Sequence, residues 1–488
     1  MADKVNKIKS FLLENKATDQ TIAKNTAWLS ISEFVGRLLR VVIIIYAARM
    51  LGAAGWGTFS YLTSLAAIFT IFSDIGISTV LVREVAKAPE NEAKYFSTTF
   101  IVKLALTAAS FLVLVFVTPY FTGIELSRPL LLLIGLLFIF DSLRRFGTSL
   151  FRAKEKMEKE ALVNIITQTV IVIAGFVALS MSLTPEALAI AYVLGAGVGL
   201  LIISLFLRTQ ITKLFSAFDK TLVRSIIKSA WPLSLGAIFG MLLVNTDTVM
   251  IGWFKTAEYV GYYSAAQKPV TLLYILPSLI VGGFFPVLAR FAKRKAEEFR
   301  RVMEKALTMI ITIAFPISVG TFLTAGKLVN IIYGSAYAPS VPSLRILALT
   351  LLTAFPVGVL IHGVFAHDRQ KELVPLWGTG VVLNIALNLF LIPRQGIVGA
   401  ATASLLSQII VNSLIWIKMR KINYFSVADK LPLILLATFM MSVSILLLLQ
   451  FNVNILIIVP IAVLAYFGSL AFSGESPLRQ IREIARRV

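Results

Sequence analysis

The chain alternates between long apolar stretches and short polar connections along nearly its whole length. A helix needs about 20 mostly apolar residues to cross the hydrocarbon core of a bilayer. We number the stretches that meet this requirement as spans 1 to 14. They lie at residues 25–48, 57–82, 95–117, 129–150, 161–181, 186–207, 229–253, 257–288, 305–324, 343–366, 373–392, 397–417, 432–450 and 453–472. The pattern predicts an all-α, polytopic membrane protein with fourteen transmembrane helices.

Composition excludes most other classes of protein. Hydrophobic residues make up 58% of the chain and charged residues only 15%, whereas about 25% of an average soluble domain is charged. The absence of cysteine excludes disulfides, thiolate metal sites and cysteine nucleophiles. The only histidines, His362 and His367, argue against a histidine-rich metal site or a Ser-His-Asp triad. We therefore predict a protein that is not an enzyme and needs no cofactor.

The distribution of positive charge predicts the orientation in the membrane. A net charge of +21 can indicate nucleic-acid binding, but in a membrane protein it more often reflects basic cytoplasmic connections. If the N-terminus is cytoplasmic, 36 of the 46 Lys and Arg residues lie on the inner side. Only five lie in outer connections: Arg49, Arg128, Lys255, Lys327 and Arg394. We expect a multi-pass cell (plasma or inner) membrane protein with both termini cytoplasmic and no nucleic-acid partner.

The two ends of the chain differ from the spans. Residues 1–24 contain five lysines and no apolar core of signal-peptide length, and their apolar positions indicate an amphipathic cytoplasmic helix on the membrane surface. Residues 474–488 carry four arginines and are expected to form a basic cytoplasmic tail.

An internal repeat predicts how the spans are grouped. Ala27-Trp-Leu-Ser30 returns as Ala230-Trp-Pro-Leu-Ser234, and Gly57-Thr-Phe-Ser-Tyr61 returns as Gly261-Tyr-Tyr-Ser-Ala265. An even number of spans in each copy implies two lobes related by a pseudo-two-fold axis along the membrane normal. The predicted lobes are residues 25–215, with spans 1–6, and residues 216–420, with spans 7–12. Residues 421–473 hold the two additional C-terminal spans.

Span 1 carries three charged residues where a charge is costly. Glu33, Arg37 and Arg40 are spaced by four and then three residues, so they share one face of the helix. A charged side chain at the middle of a bilayer costs about 2.5–3.5 kcal/mol even on the insertion scale. This face is therefore expected to line a polar cavity. The alternative is a Glu33–Arg37 ion pair that only fixes packing.

Further polar residues occur within spans 2, 3, 7 and 8. We predict that the substrate contacts in the cavity are made by Glu33, Arg37, Arg40, Lys103, Gln267 and Lys268. The candidates for ion coupling or gating are Asp74, Asn245 and Asp247. Asp141 and Arg145, four residues apart near the inner end of span 4, are interpreted as a structural ion pair. The three prolines of span 8, Pro269, Pro277 and Pro286, predict a bending element.

Several short motifs, in this order and spacing, resemble a known family. They include Asp74-Ile-Gly-Ile-Ser78, Val82-Arg-Glu-Val-Ala86, Phe151-Arg-Ala-Lys-Glu-Lys-Met157, Asp247-Thr-Val-Met-Ile-Gly-Trp-Phe254, Tyr333-Gly-Ser-Ala-Tyr-Ala-Pro339, Asn384-Ile-Ala-Leu-Asn388 and Gly396-Ile-Val-Gly-Ala-Ala401. The sequence is similar to polysaccharide (O-antigen type) flippases of the multidrug/oligosaccharidyl-lipid/polysaccharide exporter superfamily.

The resemblance implies a two-lobe transporter of twelve repeat helices and two additional helices. It also implies a cargo of lipid-linked oligosaccharide on a polyprenyl phosphate or diphosphate, moved from the cytoplasmic to the outer leaflet by alternating access. No GxxxxGK[ST] motif is present to bind ATP, so a coupling ion, H⁺ or Na⁺, is a candidate partner besides the membrane lipids.

Three alternatives remain open at this point. The first is an ion-coupled multidrug or organic-cation antiporter of the same superfamily, for which a net acidic cavity is expected. The second is a membrane glycosyltransferase or ligase, but the outer connections offer only Glu125, Glu186 and Glu258 as carboxylates. The third is a scaffold without transport activity, against which the charges within the spans argue.

Overall fold

We describe the fold from a computed structural model, which covers residues 18–293 and 295–472. The predicted basic tail and most of the predicted N-terminal segment, residues 1–17, lie outside these ranges. Residues 18–24 are helical and form the first turns of the long helix that contains span 1. The described ranges contain helices and no strands, so the prediction of an all-α fold is confirmed.

The helices follow the predicted spans closely. In chain order they are α1 (Thr18–Asp74), α2 (Ile77–Lys87), α3 (Glu92–Phe116), α4 (Arg128–Ala153), α5 (Met157–Met181), α6 (Pro185–Phe206), α7 (Arg208–Ile211), α8 (Lys220–Phe254), α9 (Ala257–Leu273), α10 (Ile275–Phe291), α11 (Ala296–Tyr333), α12 (Val341–Ala366), α13 (Val374–Gln395), α14 (Ile397–Ile422), α15 (Leu431–Gln450) and α16 (Ile455–Phe472).

The number of membrane-crossing helices depends on how α1 and α4 are counted. Within the described residues, twelve helical segments are long and apolar enough to cross a membrane. This count takes α1 as one segment, although a kink at Gly52 divides it at the border between spans 1 and 2. It omits α4, where Asp141, Arg144 and Arg145 fall within one stretch of five residues. The protein is thus a multi-pass membrane protein, and the total of fourteen spans stays a prediction.

The chain folds into two compact units. Of the described residues, unit 1 comprises those up to Asn245 together with Thr256–Gly261, and unit 2 comprises Thr246–Lys255 and those from Tyr262 onward. The predicted lobe limits at residues 215 and 420 and the pseudo-two-fold symmetry of the lobes stay predictions.

In unit 1 the connection after α6 is held against the start of α3. The Ser97 hydroxyl donates to the Leu214 carbonyl, and the Asp219 amide donates to the Thr98 hydroxyl at 3.1 Å. Lys94 lies 2.7 Å from the Asp219 carboxylate. The hydrogen bonds from Lys94 and Thr221 lower the pKa of Asp219 to about 2, so this carboxylate stays ionised at neutral pH and keeps its contact with Lys94.

Two glycines allow helices of unit 1 to cross at short range. A Cβ atom at Gly57 would overlap the Ala257 carbonyl oxygen, and one at Gly261 would overlap the Ala53 carbonyl oxygen. The two contacts are reciprocal, and each glycine is related to the other by the offset of the predicted repeat. Only glycine permits backbones to approach this closely.

Span 8 is divided into two helices, α9 and α10. The helical hydrogen bonding is interrupted between α9 and α10 at Tyr274, three residues before Pro277. Pro269 and Pro286 lie inside α9 and α10 respectively. A proline removes one backbone hydrogen bond and favours a kink, so the interruption agrees with the predicted bend.

Candidate functional site

The charged stripe of span 1 lies on the open side of α1. Glu33 and Arg40 are exposed and Arg37 is half-buried. The Arg37 Nε atom donates to the Glu33 carboxylate at 2.7 Å, which is the ion pair of the alternative interpretation. Only one of the guanidinium nitrogens of Arg37 is engaged in this contact, so its remaining N–H groups can bind a ligand.

Residues of α1 close to the stripe pack against α5. Gly36 faces the Gln168 side chain of α5, and the buried Lys24 ammonium contacts the Glu158 carboxylate at 3.1 Å. α1 therefore packs on α5 through Gly36 and Lys24, while Glu33 and Arg40 stay exposed.

The structure brings Asp74 and Lys103 together within unit 1. The Lys103 ammonium is buried, lies 3.1 Å from the Asp74 carboxylate and donates to the Ser73 hydroxyl at 3.3 Å. Asp74 also accepts hydrogen bonds from the backbone and hydroxyl of Ser78 at the start of α2. One predicted substrate contact is thus paired with one predicted ion-coupling residue. The pairing favours a structural role for both, because each charge neutralises the other.

Helix α4 provides a cation that sequence reasoning did not assign to the site. Asp141 contacts Arg145 Nε at 2.6 Å, as expected, but its other carboxylate oxygen contacts Arg144 at 2.6 Å. The buried Arg144 also donates to the Asn164 side chain at 2.6 Å. Arg145 is 61% exposed, with its terminal nitrogens available, and Glu33 exerts a favourable electrostatic effect on it.

Taken together, the deep charged groups of unit 1 are positive in sum. The bases are Arg37, Arg40, Lys103, Arg144 and Arg145, and the acids are Glu33, Asp74 and Asp141. Three of these arginines present nitrogen atoms that are not used by the acids. Arginine binds planar anions such as phosphate through two parallel hydrogen bonds, so this face is chemically suited to a phosphate group.

Unit 2 contains a different kind of charged centre around Asp247. This carboxylate is buried and accepts hydrogen bonds from Asn384 at 3.0 Å and Asn388 at 2.7 Å. It also accepts hydrogen bonds from the hydroxyls of Tyr263 and Ser404. These four donors are neutral. They satisfy the carboxylate without cancelling its charge, and their oxygen atoms can turn toward a cation placed beside it.

The motif Asn384-Ile-Ala-Leu-Asn388 places both amides on one face of α13, because the residues are four apart. The buried Asn388 carbonyl oxygen has no hydrogen-bond partner among the described residues. The spacing was visible in the sequence, but the partner of the two amides, Asp247, lies 137 residues before the nearer one. We therefore name the Asp247 carboxylate and its four donors the Asp247 centre.

The remaining predicted site residues occupy separate positions. Asn245 donates to the Met241 carbonyl of its own helix at 2.9 Å, which is typical of a polar side chain satisfied locally. Gln267 and Lys268 are half-buried on α9. That these two residues share one cavity with the stripe of α1 stays a prediction.

Comparison with known proteins identifies the family. The family model described as "polysaccharide biosynthesis protein" matches residues 22–292. The chain belongs to this family. It is 24% identical over 395 residues to the probable low-salt glycan biosynthesis flippase Agl15 of Haloferax volcanii, covering 79% of this chain and 81% of that protein.

Two further comparisons agree with this assignment. A putative O-antigen transporter of Shigella flexneri is 24% identical over 400 residues, covering 78% of this chain and 93% of that protein. The fold matches the lipid II flippase MurJ in an inward closed conformation with a TM-score of 0.73 and 18% identity, covering 91% and 98% of the two chains. The resemblance to flippases of the exporter superfamily is confirmed, and the named relatives are transporters rather than enzymes.

Proposed function

We propose that this protein is a flippase that moves an isoprenoid phosphate- or diphosphate-linked oligosaccharide from the cytoplasmic to the outer leaflet by alternating access, for assembly of a cell-surface polysaccharide or glycan. The observation that carries the proposal is the excess of arginine on the open face of unit 1. Arg37, Arg40 and Arg145 offer guanidinium groups of which Glu33 and Asp141 use only part. A phosphate or diphosphate head group fits this donor set.

An apolar recess in unit 2 supports a lipid-linked cargo. It has a volume of about 390 Å³ and lies between α11, α15 and α16. Its lining includes Pro316 and Gly320 of α11, Ile445 of α15 and Tyr466 of α16. Such an apolar surface can hold a hydrocarbon chain through van der Waals packing, since the hydrophobic effect gives no driving force within a bilayer. We infer that part of the isoprenoid tail lies in this recess while the head group is translocated.

The energy source proposed here is a cation gradient acting at the Asp247 centre. A buried carboxylate that carries a charge within a membrane is costly, and neutral donors lower that cost without removing the affinity for a cation. Of the three residues predicted for ion coupling, Asp74 is paired with Lys103 and Asn245 is bonded to its own helix. Asp247 is therefore the residue that we assign to Na⁺ or H⁺ binding.

The multidrug or organic-cation antiporter is the second candidate, since it belongs to the same superfamily. An antiporter of this kind would favour an acidic cavity. The charged groups within the spans of unit 1 instead comprise five bases and three acids. The charge of this face argues for an anionic head group.

The test is reconstitution of the purified protein in vesicles with a lipid-linked oligosaccharide, followed by measurement of its appearance in the outer leaflet. Arg37→Ala should reduce the flipping rate by about tenfold or more, because hydrogen bonds to charged groups contribute about 1.5–3 kcal/mol. Arg37→Lys should retain part of the rate, since the charge remains but the planar donor pair does not.

A matched control distinguishes substrate binding from packing. Arg301→Ala removes an exposed arginine that also pairs with a glutamate four residues away, Glu297 at 3.9 Å, and should leave the rate unchanged. If Arg37 only locks the helix, Glu33→Ala should be equally harmful and the Glu33→Ala/Arg37→Ala double variant should recover. That recovery would contradict the phosphate assignment.

A further inference from the structure

A line of polar side chains runs along α14 in unit 2. Ser404, Gln408 and Asn412 are spaced by four residues and therefore share one face of this helix. Ser404 is one of the donors to Asp247. We define the polar seam as these three residues together with Tyr274, Thr350 and Thr353, which lie beside them.

Hydrogen bonds join the members of the seam in pairs. The Tyr274 and Thr350 hydroxyls are 3.3 Å apart, and Gln408 forms a side-chain hydrogen bond with Tyr274. One turn further along each helix, the Asn412 amide donates to the Thr353 hydroxyl at 3.1 Å. Ser404 donates to Asp247, and Gln408 follows one turn later on the same face of α14. Polar side chains therefore extend from the Asp247 centre along this face of α14.

The far end of the seam opens into a recess of about 290 Å³. Thr353, Asn412 and Ser413 supply the polar part of its lining, and the rest is apolar, with Val357, Ile417 and Trp416 among its members. One water molecule occupies about 30 Å³ of liquid, so the recess has room for several. It lies toward the end of α14 that carries Lys418, Arg420 and Lys421, which is the side assigned to the cytoplasm by the charge distribution.

The length of the seam and the chemistry of its side chains indicate a function beyond helix packing. Asn412 and Ser404 are eight residues apart, which is about 12 Å along a helix at 1.5 Å per residue. Along this length a hydroxyl or amide occurs at every turn of α14. Such groups offer the oxygen ligands that a small cation needs when it leaves water. Purely apolar contacts would hold α12 and α14 together at lower cost in a membrane.

We propose that the polar seam is the route by which a small monovalent cation enters and leaves the Asp247 centre from the recess beside Trp416. This inference rests on the ion coupling that we propose for Asp247. It adds the direction of access and the residues that form the path, and it requires that Gln408 and Asn412 be reached by water-soluble cations.

The chain has no native cysteine, so single-cysteine variants of the full-length protein test the route directly. Vesicles containing Asn412→Cys, Gln408→Cys or Ile410→Cys are treated with 2-aminoethyl methanethiosulfonate, a small cation, or with its neutral 2-hydroxyethyl analogue. Ile410 is the control, because it lies on the same helix and is exposed outside the seam. Thiols react as thiolates, which require water.

We expect both seam cysteines to react at least about tenfold faster than Ile410→Cys, as the thiolate requirement implies. The preference for the cationic over the neutral reagent should be larger at position 408 than at 412, because 408 lies nearer Asp247. Adding Asp247→Asn should abolish that difference. Thr353→Cys serves as a second seam variant if Gln408→Cys does not fold.

Two results would overturn the route: seam cysteines as unreactive as Ile410→Cys, or a preference for the cationic reagent that is unchanged by Asp247→Asn. Neither measurement depends on flipping. A hydrated, cation-selective seam in a protein that does not flip the lipid-linked oligosaccharide would contradict the proposed function alone, whereas an unreactive seam in an active flippase would contradict only the route.

Discussion

In unit 1 the carboxylates of Glu33, Asp74 and Asp141 each contact a basic side chain, whereas in unit 2 the Asp247 carboxylate contacts four neutral donors. The first arrangement cancels negative charge and leaves arginine nitrogens available for an anion. The second retains a negative charge in a buried position. The difference supports the proposal that unit 1 binds the anionic head group and that unit 2 binds the coupling cation.

The strongest expected effect concerns the stability of the Asp74–Lys103 pair. Asp74→Ala leaves the buried Lys103 ammonium without its carboxylate, so the free energy of unfolding should fall by about 3–5 kcal/mol. Replacing both residues, as Asp74→Ala/Lys103→Met, should restore most of the loss because no buried charge remains. Thermal unfolding in detergent measures both values. A double variant as unstable as the single one would show that Lys103 is not neutralised by Asp74.

Asp247→Asn tests the proposed binding of the coupling cation in unit 2. The substitution keeps the shape of the side chain but removes the charge, so the stimulation of flipping by an ion gradient should disappear. We expect the ion-driven rate to fall at least about thirtyfold, since leaving a buried charge without its charged partner costs about 2–5 kcal/mol. The assay compares flipping with and without Na⁺ and pH gradients.

Glu297→Gln is the control for this experiment, because Glu297 is exposed and has a distant contact with Arg301. Its ion dependence should equal that of the unmodified protein. If the Asp247→Asn variant keeps the full stimulation by the ion gradient, the proposal that unit 2 binds the coupling cation is wrong.

Arg144 and Arg145 of α4 are expected to affect different properties of the protein, stability and substrate binding respectively. Arg145→Ala should weaken binding of the lipid-linked oligosaccharide by about tenfold, near the lower end of the range for charge-assisted hydrogen bonds, with little change in stability. Arg144→Ala should instead lower stability, because Arg144 is buried between Asp141 and Asn164. Binding to purified protein and thermal unfolding separate the two effects. The reverse pattern would exclude Arg145 from the substrate face.

These contrasts separate what the sequence predicts from what only the structure shows. Apolar length alone predicts the helices, because each must cover the thickness of a bilayer, and residue spacing correctly places Glu33 beside Arg37. Spacing cannot show that Lys103 meets Asp74, since they lie on different helices 29 residues apart. For the same reason the sequence identifies Asp247 as a single acid and does not show its four donors.

Arg145 illustrates a second limit. Its spacing from Asp141 predicts the ion pair that is observed, but the sequence gives no sign that Arg144 occupies the other carboxylate oxygen. Only the structure shows that the acid is shared and that Arg145 keeps nitrogen atoms available. A residue interpreted as structural from its spacing thus becomes a candidate for substrate binding.

The most direct test of the central claim, that unit 1 selects an anionic lipid head group, is a binding comparison on the purified protein. A lipid diphosphate-linked saccharide and a lipophilic organic cation are each titrated at low and raised salt. We predict that the lipid diphosphate binds, that free isoprenyl diphosphate competes with it, and that Arg37→Ala and raised salt weaken it, because salt screens charge interactions. Binding and transport of the cation, with neither for the lipid, would contradict the flippase assignment and favour the antiporter.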